Sequence, residues 1–148
     1  MDASHALTAR EVLSIQTLYR AFTENKPDLL DEACTPDWQD IPLLPGQGPG
    51  PNGLKEIMPL FISAFPDLAI IVHEIVGCSA RAGVRASIVG THLGSIFGVA
   101  PTGQRVDIAL HEFHHLQEGR ISHTWHLEDW FGMLNRLGAW KPPTSHQT

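Results

Sequence analysis

From residue 68 to residue 127 the sequence runs almost wholly in period two, and no other feature constrains the fold as strongly. Four segments, 68–76, 83–97, 105–117 and 121–127, alternate apolar and polar side chains as half-buried strands do. Their connections are 77–82, 98–104 with its Pro101-Thr102-Gly103, and Glu118-Gly119. These are short enough for an antiparallel meander.

The N-terminal third has a different period. Thr8 and Glu11 stand at capping-box spacing, and Val12, Ile15, Leu18, Tyr19 and Phe22 follow at helical intervals. Pro27-Asp28 opens a short second helix through Leu29, Leu30 and Ala33. Residues 35–52 hold five of the eleven prolines and predict a long loop, functional or mobile, with Asp37 and Asp40 as solvated turn residues. A third helix is expected from residue 52 or 53 toward 65, kinked or shifted by Pro59. Helical spacing returns at 128–137, and Gly138 is a natural stop. Helices first and an antiparallel sheet afterwards is an α+β layout. The 148 residues fit one domain, with an ordered core at about 8–139 and a polar, frayed tail at 141–148.

Bulk properties narrow the function. The formal charge is −6 and no basic stripe appears, which argues against nucleic acid and anionic membrane surfaces as partners. No segment reads as a signal peptide or a membrane span. Cys34 and Cys78 make no metal pattern and read as reduced thiols of a cytoplasmic protein.

Five of the nine histidines lie between His111 and His126, on the two strands around Glu118-Gly119. A three-residue loop, 117–119, would pair Leu116 with Arg120 and set Glu112 opposite Thr124, with His126 diagonal on the same face. A two-residue loop would instead separate Glu112 from His126. A Glu beside a His on an apolar face is a proton-transfer unit, because burial and mutual attraction pull both pKa values away from their ordinary range. The bland alternative is a structural hydrogen bond in a wet core. Leu110 and His114 share that face and are candidate substrate contacts. Phe113 and Trp125 lie on the other face, with more apolar surface than the helices can cover, so a homodimer through the outer sheet face is expected.

His111-Glu-Phe-His-His115 also matches the zinc-protease motif H-E-x-x-H. That motif works only on a helix; on a strand Glu112 points away from His111 and His115, so no metal is assigned. His92 is a candidate substrate contact, weighed against a satisfied core histidine. Asp129 reads as the cap of the last helix, with a pocket contact as the sharper alternative. Trp38 is a candidate substrate contact, and Trp130 a candidate for the pocket edge.

Several motifs together resemble one family. They are Gly90-Thr91-His92-x-Gly94, Gly98-x-x-Pro101-Thr102-Gly103, Gly119-Arg120-Ile121, Trp125-His126-x-x-Asp129 and Leu137-Gly138. Upstream, Gly50-x-x-Gly53 and Ala64-Phe65-Pro66-Asp67 also fit. From about residue 11 to residue 138 the chain resembles the SnoaL-like polyketide cyclases, or ester cyclases. Their superfamily includes ketosteroid isomerase and nuclear transport factor two. The resemblance implies a cone-shaped, curved antiparallel sheet wrapped around the N-terminal helices, with an internal pocket. It implies intramolecular aldol closure of a polyketide methyl ester, without metal or cofactor. An Asp on the last strand would be the general acid/base and a His on the preceding strand its assistant. This chain departs there: His126 stands at the Asp position and Glu112 at the His position, so the two groups are exchanged between strands.

The expected function is therefore acid–base chemistry by Glu112 and His126 on an enolisable carbonyl of a hydrophobic small molecule: ring closure, isomerisation or hydration. The competing expectations share the fold but not the chemistry: a small-molecule-binding module, or a scaffold acting through its dimer face.

Overall fold

The computed structural model describes residues 5–144. The elements run α1 (Ala9–Thr23), α2 (Leu29–Ala33), β1 (Cys34–Ile41), α3 (Gly50–Ala64), β2 (Ala69–Cys78), β3 (Arg81–Thr91), β4 (Arg105–Gln117), β5 (Arg120–Glu128) and α4 (Trp130–Arg136). One five-stranded sheet has the order β1-β5-β4-β3-β2. It is curved and unclosed, and this is an α+β fold. Residues 141–144 carry no regular secondary structure; the rest of the predicted tail, 145–148, lies outside the described residues.

The α1 capping box forms as its sequence predicts. Thr8 Oγ1 accepts from the Glu11 N–H at 3.1 Å, and Glu11 Oε2 accepts from the Thr8 N–H at 2.8 Å. Its apolar stripe buries Ile15, Leu18 and Tyr19, and α1 packs on β2 and β5. α3 runs unbroken through Pro59, so that proline does not end the helix.

β1 overturns the predicted long loop. Prolines masked a strand whose buried residues, Cys34, Thr35 and Trp38, face the core. β1 is an edge strand and runs parallel to β5, so the sheet is mixed rather than purely antiparallel. Pro36 falls where the ladder is interrupted, between the pairs Cys34–Ile121 and Gln39–His123. An edge position and a gap in pairing are where a strand tolerates a residue without an N–H.

β3 stops earlier than its alternation suggests, at Thr91. Beyond it the Leu93 and Gly94 N–H groups both donate to the Ala64 carbonyl at the end of α3. A side chain on Gly94 would put its Cβ 2.2 Å from the Ser63 carbonyl oxygen, which explains a glycine there. Asp67 holds the strand end: its Oδ1 and Oδ2 accept from the Thr91 N–H and hydroxyl at 2.6 and 2.8 Å.

The β4–β5 hairpin corrects the expected register. The loop has two residues, Glu118 and Gly119, with φ of 51° and 80°. Positive φ at both positions is a type I′ turn, which suits the strand twist. Gln117 pairs with Arg120 and Leu116 with Ile121. The pairing then slips by one residue at Ser122, so that His115 faces His123 and Glu112 faces His126 directly. The β-bulge at Ser122 returns the inward side chains to one face, which a two-residue loop alone would not do. Along β4, Val106, Ile108, Leu110, Glu112, His114 and Leu116 all point inward. The outer face leaves Phe113, Trp125 and Leu127 exposed, where the sequence places a dimer contact.

Candidate active site

Between α1, α3 and the inner face of the sheet lies a mainly apolar cavity with about 80 Å³ of free space. That volume holds a few waters or a small ring, since a water needs about 10–15 Å³ on this measure. Leu18, Phe22, Leu54, Phe61, Ile88 and Leu110 supply apolar walls. Tyr19, Asp40, Gln47, Glu112, Thr124, His126 and Glu128 supply the polar groups, with Trp38 and Trp130 at its sides.

Glu112 comes from β4 and His126 from β5, and they meet across the sheet as direct partners. They do not hydrogen-bond to each other; each has partners of its own. Glu112 Oε2 accepts from the Tyr19 hydroxyl at 2.8 Å. Glu112 is 9% exposed. Burial pushes its carboxyl up to about 8, against the pull of the Tyr19 hydrogen bond and the His126 charge, while Glu128 and Asp40 push the same way as burial.

His126 sits in a cradle of acceptors. Its Nδ1 is 2.8 Å from Glu128 Oε1, and its Nε2 is 2.7 Å from the Pro42 carbonyl and 3.6 Å from Asp40 Oδ1. Burial alone would lower its pKa, but the hydrogen bond and charge of Glu128, with Asp40 and Pro42, raise it to about 9. With an acceptor at each nitrogen, the ring is an imidazolium at neutral pH. Asp40 is raised by burial, against the opposing effects of Gln47 and His126. Gln47 Nε2 donates to Asp40 Oδ2 at 2.7 Å, and the Leu44 N–H donates to Gln47 Oε1 at 3.0 Å. Residues 42–47 of the proline-rich segment are thus folded over the site by Asp40 and His126.

The remaining candidates divide. Leu110 and Trp38 line the cavity as expected. His114 does not: it is fully buried, with Tyr19 Oη at 2.9 Å from Nε2 and Thr124 Oγ1 at 2.9 Å from Nδ1. Burial lowers its pKa to about 3, so the ring is neutral. His92 is also a core histidine rather than a cavity contact; it packs on Phe65 and bonds through Nδ1 to Thr102. Asp129 is the helix cap and not a pocket residue: its Oδ1 accepts from the Gly132 N–H at 2.9 Å, and it is exposed. Asp129→Ala should therefore cost about 1 kcal/mol of stability, read as a small loss in urea midpoint, and leave ligand binding in the cavity unchanged. The zinc-protease pattern is split by the strand: Glu112 faces inward, and His111 and His115 face out.

Four residues of the site escape the sequence reading. Asp40 continues the alternation from Trp38, but the prolines hid the strand. Glu128 is two residues beyond His126 on the same face, just past the predicted strand end. Gln47 lies in the presumed loop. Tyr19, the chain's single tyrosine, reads as ordinary helix core.

These pKa shifts fix a pH dependence of stability. Glu112 is raised to about 8 and His126 to about 9 in the fold. A raised folded pKa means stability that is full below the unfolded value and lost as pH climbs through the folded one. The Glu112 share is lost from about pH 4.5 to 8, and the His126 share from about pH 6.5 to 9. His114, held neutral down to about 3, acts in the opposite sense and costs stability as pH falls below about 6.5. Thermal unfolding should therefore show maximal stability at about pH 5, where the Glu112 and His114 effects balance, declining to about pH 9. A Tm that rises between about pH 6 and 9 would contradict these assignments.

The SnoaL-like polyketide cyclase family pattern matches residues 13–137. The chain belongs to the SnoaL-like polyketide cyclase family. Among solved structures, TsrD from Streptomyces laurentii superimposes with a TM-score of 0.81 at 23% identity, over 90% of this chain and 99% of that one. IdmH from Streptomyces antibioticus, assigned as a polyketide cyclase, gives 0.76 at 28% identity over 86% and 98%. AclR from Streptomyces galilaeus, assigned as a hydroxylase, gives 0.77 at 24% identity over 93% and 91%. No curated protein matches the sequence. The family accounts for the fold. No helix among the described residues is long and apolar enough to cross a membrane.

Proposed function

We propose that this SnoaL-like protein is an enzyme that moves a proton at the carbon beside a carbonyl in a hydrophobic small molecule. The observation that carries the reading is a buried carboxyl poised near neutrality, Glu112, beside an imidazolium on the adjacent strand, both lining one apolar cavity. A base tuned toward the operating pH contributes roughly 100- to 10,000-fold. Glu112 takes the α-proton, leaving an enolate. His126, whose two N–H groups are already given to protein acceptors, stabilises that negative charge through its field rather than by donating a proton. This differs from a simple exchange of protons between the pair.

Family membership supports ring closure as the reaction. The enolate carbon attacks a second carbonyl of the same molecule, a C–C bond forms, and the new alkoxide takes the proton back from Glu112. Protonation of the enolate at another carbon would give isomerisation with the same residues. Neither course needs a group beyond these side chains. A substrate larger than a small ring must displace the half-buried Phe22, Leu44 or Trp130 to enter.

Proton transfer can be tested without the native substrate. The protein is incubated in deuterium oxide with bicyclic aromatic ketones such as tetralone, and α-deuterium incorporation is followed by NMR. Exchange above the buffer rate, lost in Glu112→Gln, supports the reading. Equal exchange in both proteins would instead favour a binding module of the same fold.

A further inference from the structure

Behind Glu112 the buried polar side chains form one hydrogen-bonded chain, and its first member fixes its direction. The Trp38 indole N–H can only donate, and it donates to Thr124 Oγ1 at 3.0 Å. The single proton of that hydroxyl has His114 Nδ1, at 2.9 Å, as its acceptor. Nδ1 therefore accepts, and the neutral ring carries its proton on Nε2. Nε2 faces two oxygens able to accept, Tyr19 Oη at 2.9 Å and Glu112 Oε2 at 3.3 Å. The Tyr19 hydroxyl in turn donates to the same Oε2 at 2.8 Å.

The opposite direction fails at Thr124. If His114 donated from Nδ1, Thr124 Oγ1 would receive two N–H groups. Its own proton would then have no acceptor among the described residues, at a side chain that is 1% exposed. A buried donor without a partner is costly.

Glu112 Oε1 is in a different position. Among the described residues, the sealed side-chain atoms without a hydrogen-bond partner are Thr35 Oγ1 and His92 Nε2. Oε1 also has no partner but is not sealed, so the residual exposure of Glu112 lies at Oε1, on the cavity side. We propose that Trp38, Thr124, His114 and Tyr19 are positioning residues that occupy Oε2 of Glu112 and leave Oε1 as the oxygen that takes and returns the substrate proton. The second half of this statement rests on the function proposed above.

The arrangement has a catalytic consequence. When Glu112 gains a proton on Oε1, Oε2 still accepts from Tyr19 and every other bond in the chain keeps its direction. Nothing behind the carboxyl must reorient during the reaction, and a dipole set in place beforehand is the kind that lowers a barrier. The titratable groups facing Glu112 are Tyr19 from α1, Cys34 and Asp40 from β1, His114 on β4, and His126 and Glu128 from β5. Of these, Tyr19 and His114 lie within hydrogen-bond or ion-pair reach of Oε2.

Two measurements on the full chain test the chain of donors. Long-range proton–nitrogen correlation on histidine-labelled protein reads the His114 tautomer directly. The expected result is Nε2–H at about pH 6 and again at about pH 9, on both sides of the Glu112 titration. An Nδ1–H ring, or a tautomer that switches as Glu112 titrates, would overturn the proposal. Carbon-13 titration of the Glu112 carboxyl then compares Tyr19→Phe with the parent. Tyr19→Phe removes the donor to Oε2 and should raise the Glu112 midpoint by about half a pH unit or more. An unchanged midpoint would also overturn the proposal. Neither readout involves a substrate. Loss of the proposed catalysis with this chain intact is therefore distinguishable from failure of the chain itself.

Discussion

Glu112→Gln should make the protein more stable and less active at once. In the fold this carboxyl is held up at about 8, whereas in the unfolded chain it ionises near its ordinary 4.5. At pH 7 that difference costs the native state on the order of 3 kcal/mol, because unfolding releases a proton that folding must recapture. Gln keeps an oxygen for the Tyr19 hydroxyl, fills the same volume and does not titrate. The variant should gain at least about 3 °C in Tm at pH 8, with the gain vanishing below about pH 4.5. Its α-exchange activity should fall at least about 100-fold. A lower Tm at pH 8 would mean that the native carboxylate is satisfied in its site, and the case for a poised base would collapse.

His126→Gln should do the reverse to stability. His126 is the cation between Asp40 and Glu128, with Nδ1 at 2.8 Å from one and Nε2 at 3.6 Å from the other. All three side chains are largely buried, at 9%, 9% and 16% exposed. Removing one partner from a buried ionic cluster leaves charge uncompensated and typically costs about 3–5 kcal/mol. The low end of that range is expected here, because Glu128 keeps some contact with solvent. The loss should shrink as pH rises from about 6.5 to about 9, where the parent imidazolium gives up its proton and its contribution is lost, and denaturant unfolding at several pH values reads it. Activity should fall as well, since the field that favours an enolate is gone. A variant as stable as the parent at pH 7 would show that His126 is neutral and that the cradle is not an ionic one.

Much of the fold was legible because the period of the sequence is a direct record of which side of an element is wet. The capping box at Thr8 and Glu11, the alternation of β4 and the cap at Asp129 are local patterns, and local patterns survive into the structure. The inward face of β4 also placed Glu112 and Leu110 correctly. β1 was not legible, because Pro36 and Pro42 signal loops and only tertiary pairing reveals that one edge of this strand is left free. That single omission hid Asp40. The hairpin register was wrong in its loop and in setting Glu112 opposite Thr124, and right only in bringing Glu112 and His126 to one face, since the bulge at Ser122 compensates for the two-residue turn. A bulge leaves no period of its own in a nine-residue strand. His114 was read as a pocket residue because it shares a face with Glu112. What removes it from the cavity is Tyr19, a helix residue 95 positions away in sequence, whose hydroxyl stands at 2.9 Å from the ring.

The family pattern and the particular site also play different parts. The glycines at 53 and 94 are demanded by backbone contacts, where an added Cβ would lie 1.7 Å from the Gly48 carbonyl oxygen and 2.2 Å from that of Ser63. They specify the shape. Glu112 and His126 project into one cavity from directly paired positions on β4 and β5.

The pH dependence of α-deuterium exchange tests the proposed role of Glu112 most directly. Exchange requires Glu112 ionised, near 8, and His126 charged, near 9. The rate should trace a narrow bell with its maximum between these values, the two midpoints belonging to the coupled pair, and Glu112→Gln should abolish it. A rate that is flat across this range, or a bell that survives Glu112→Gln, would show that the proton is moved by some other group.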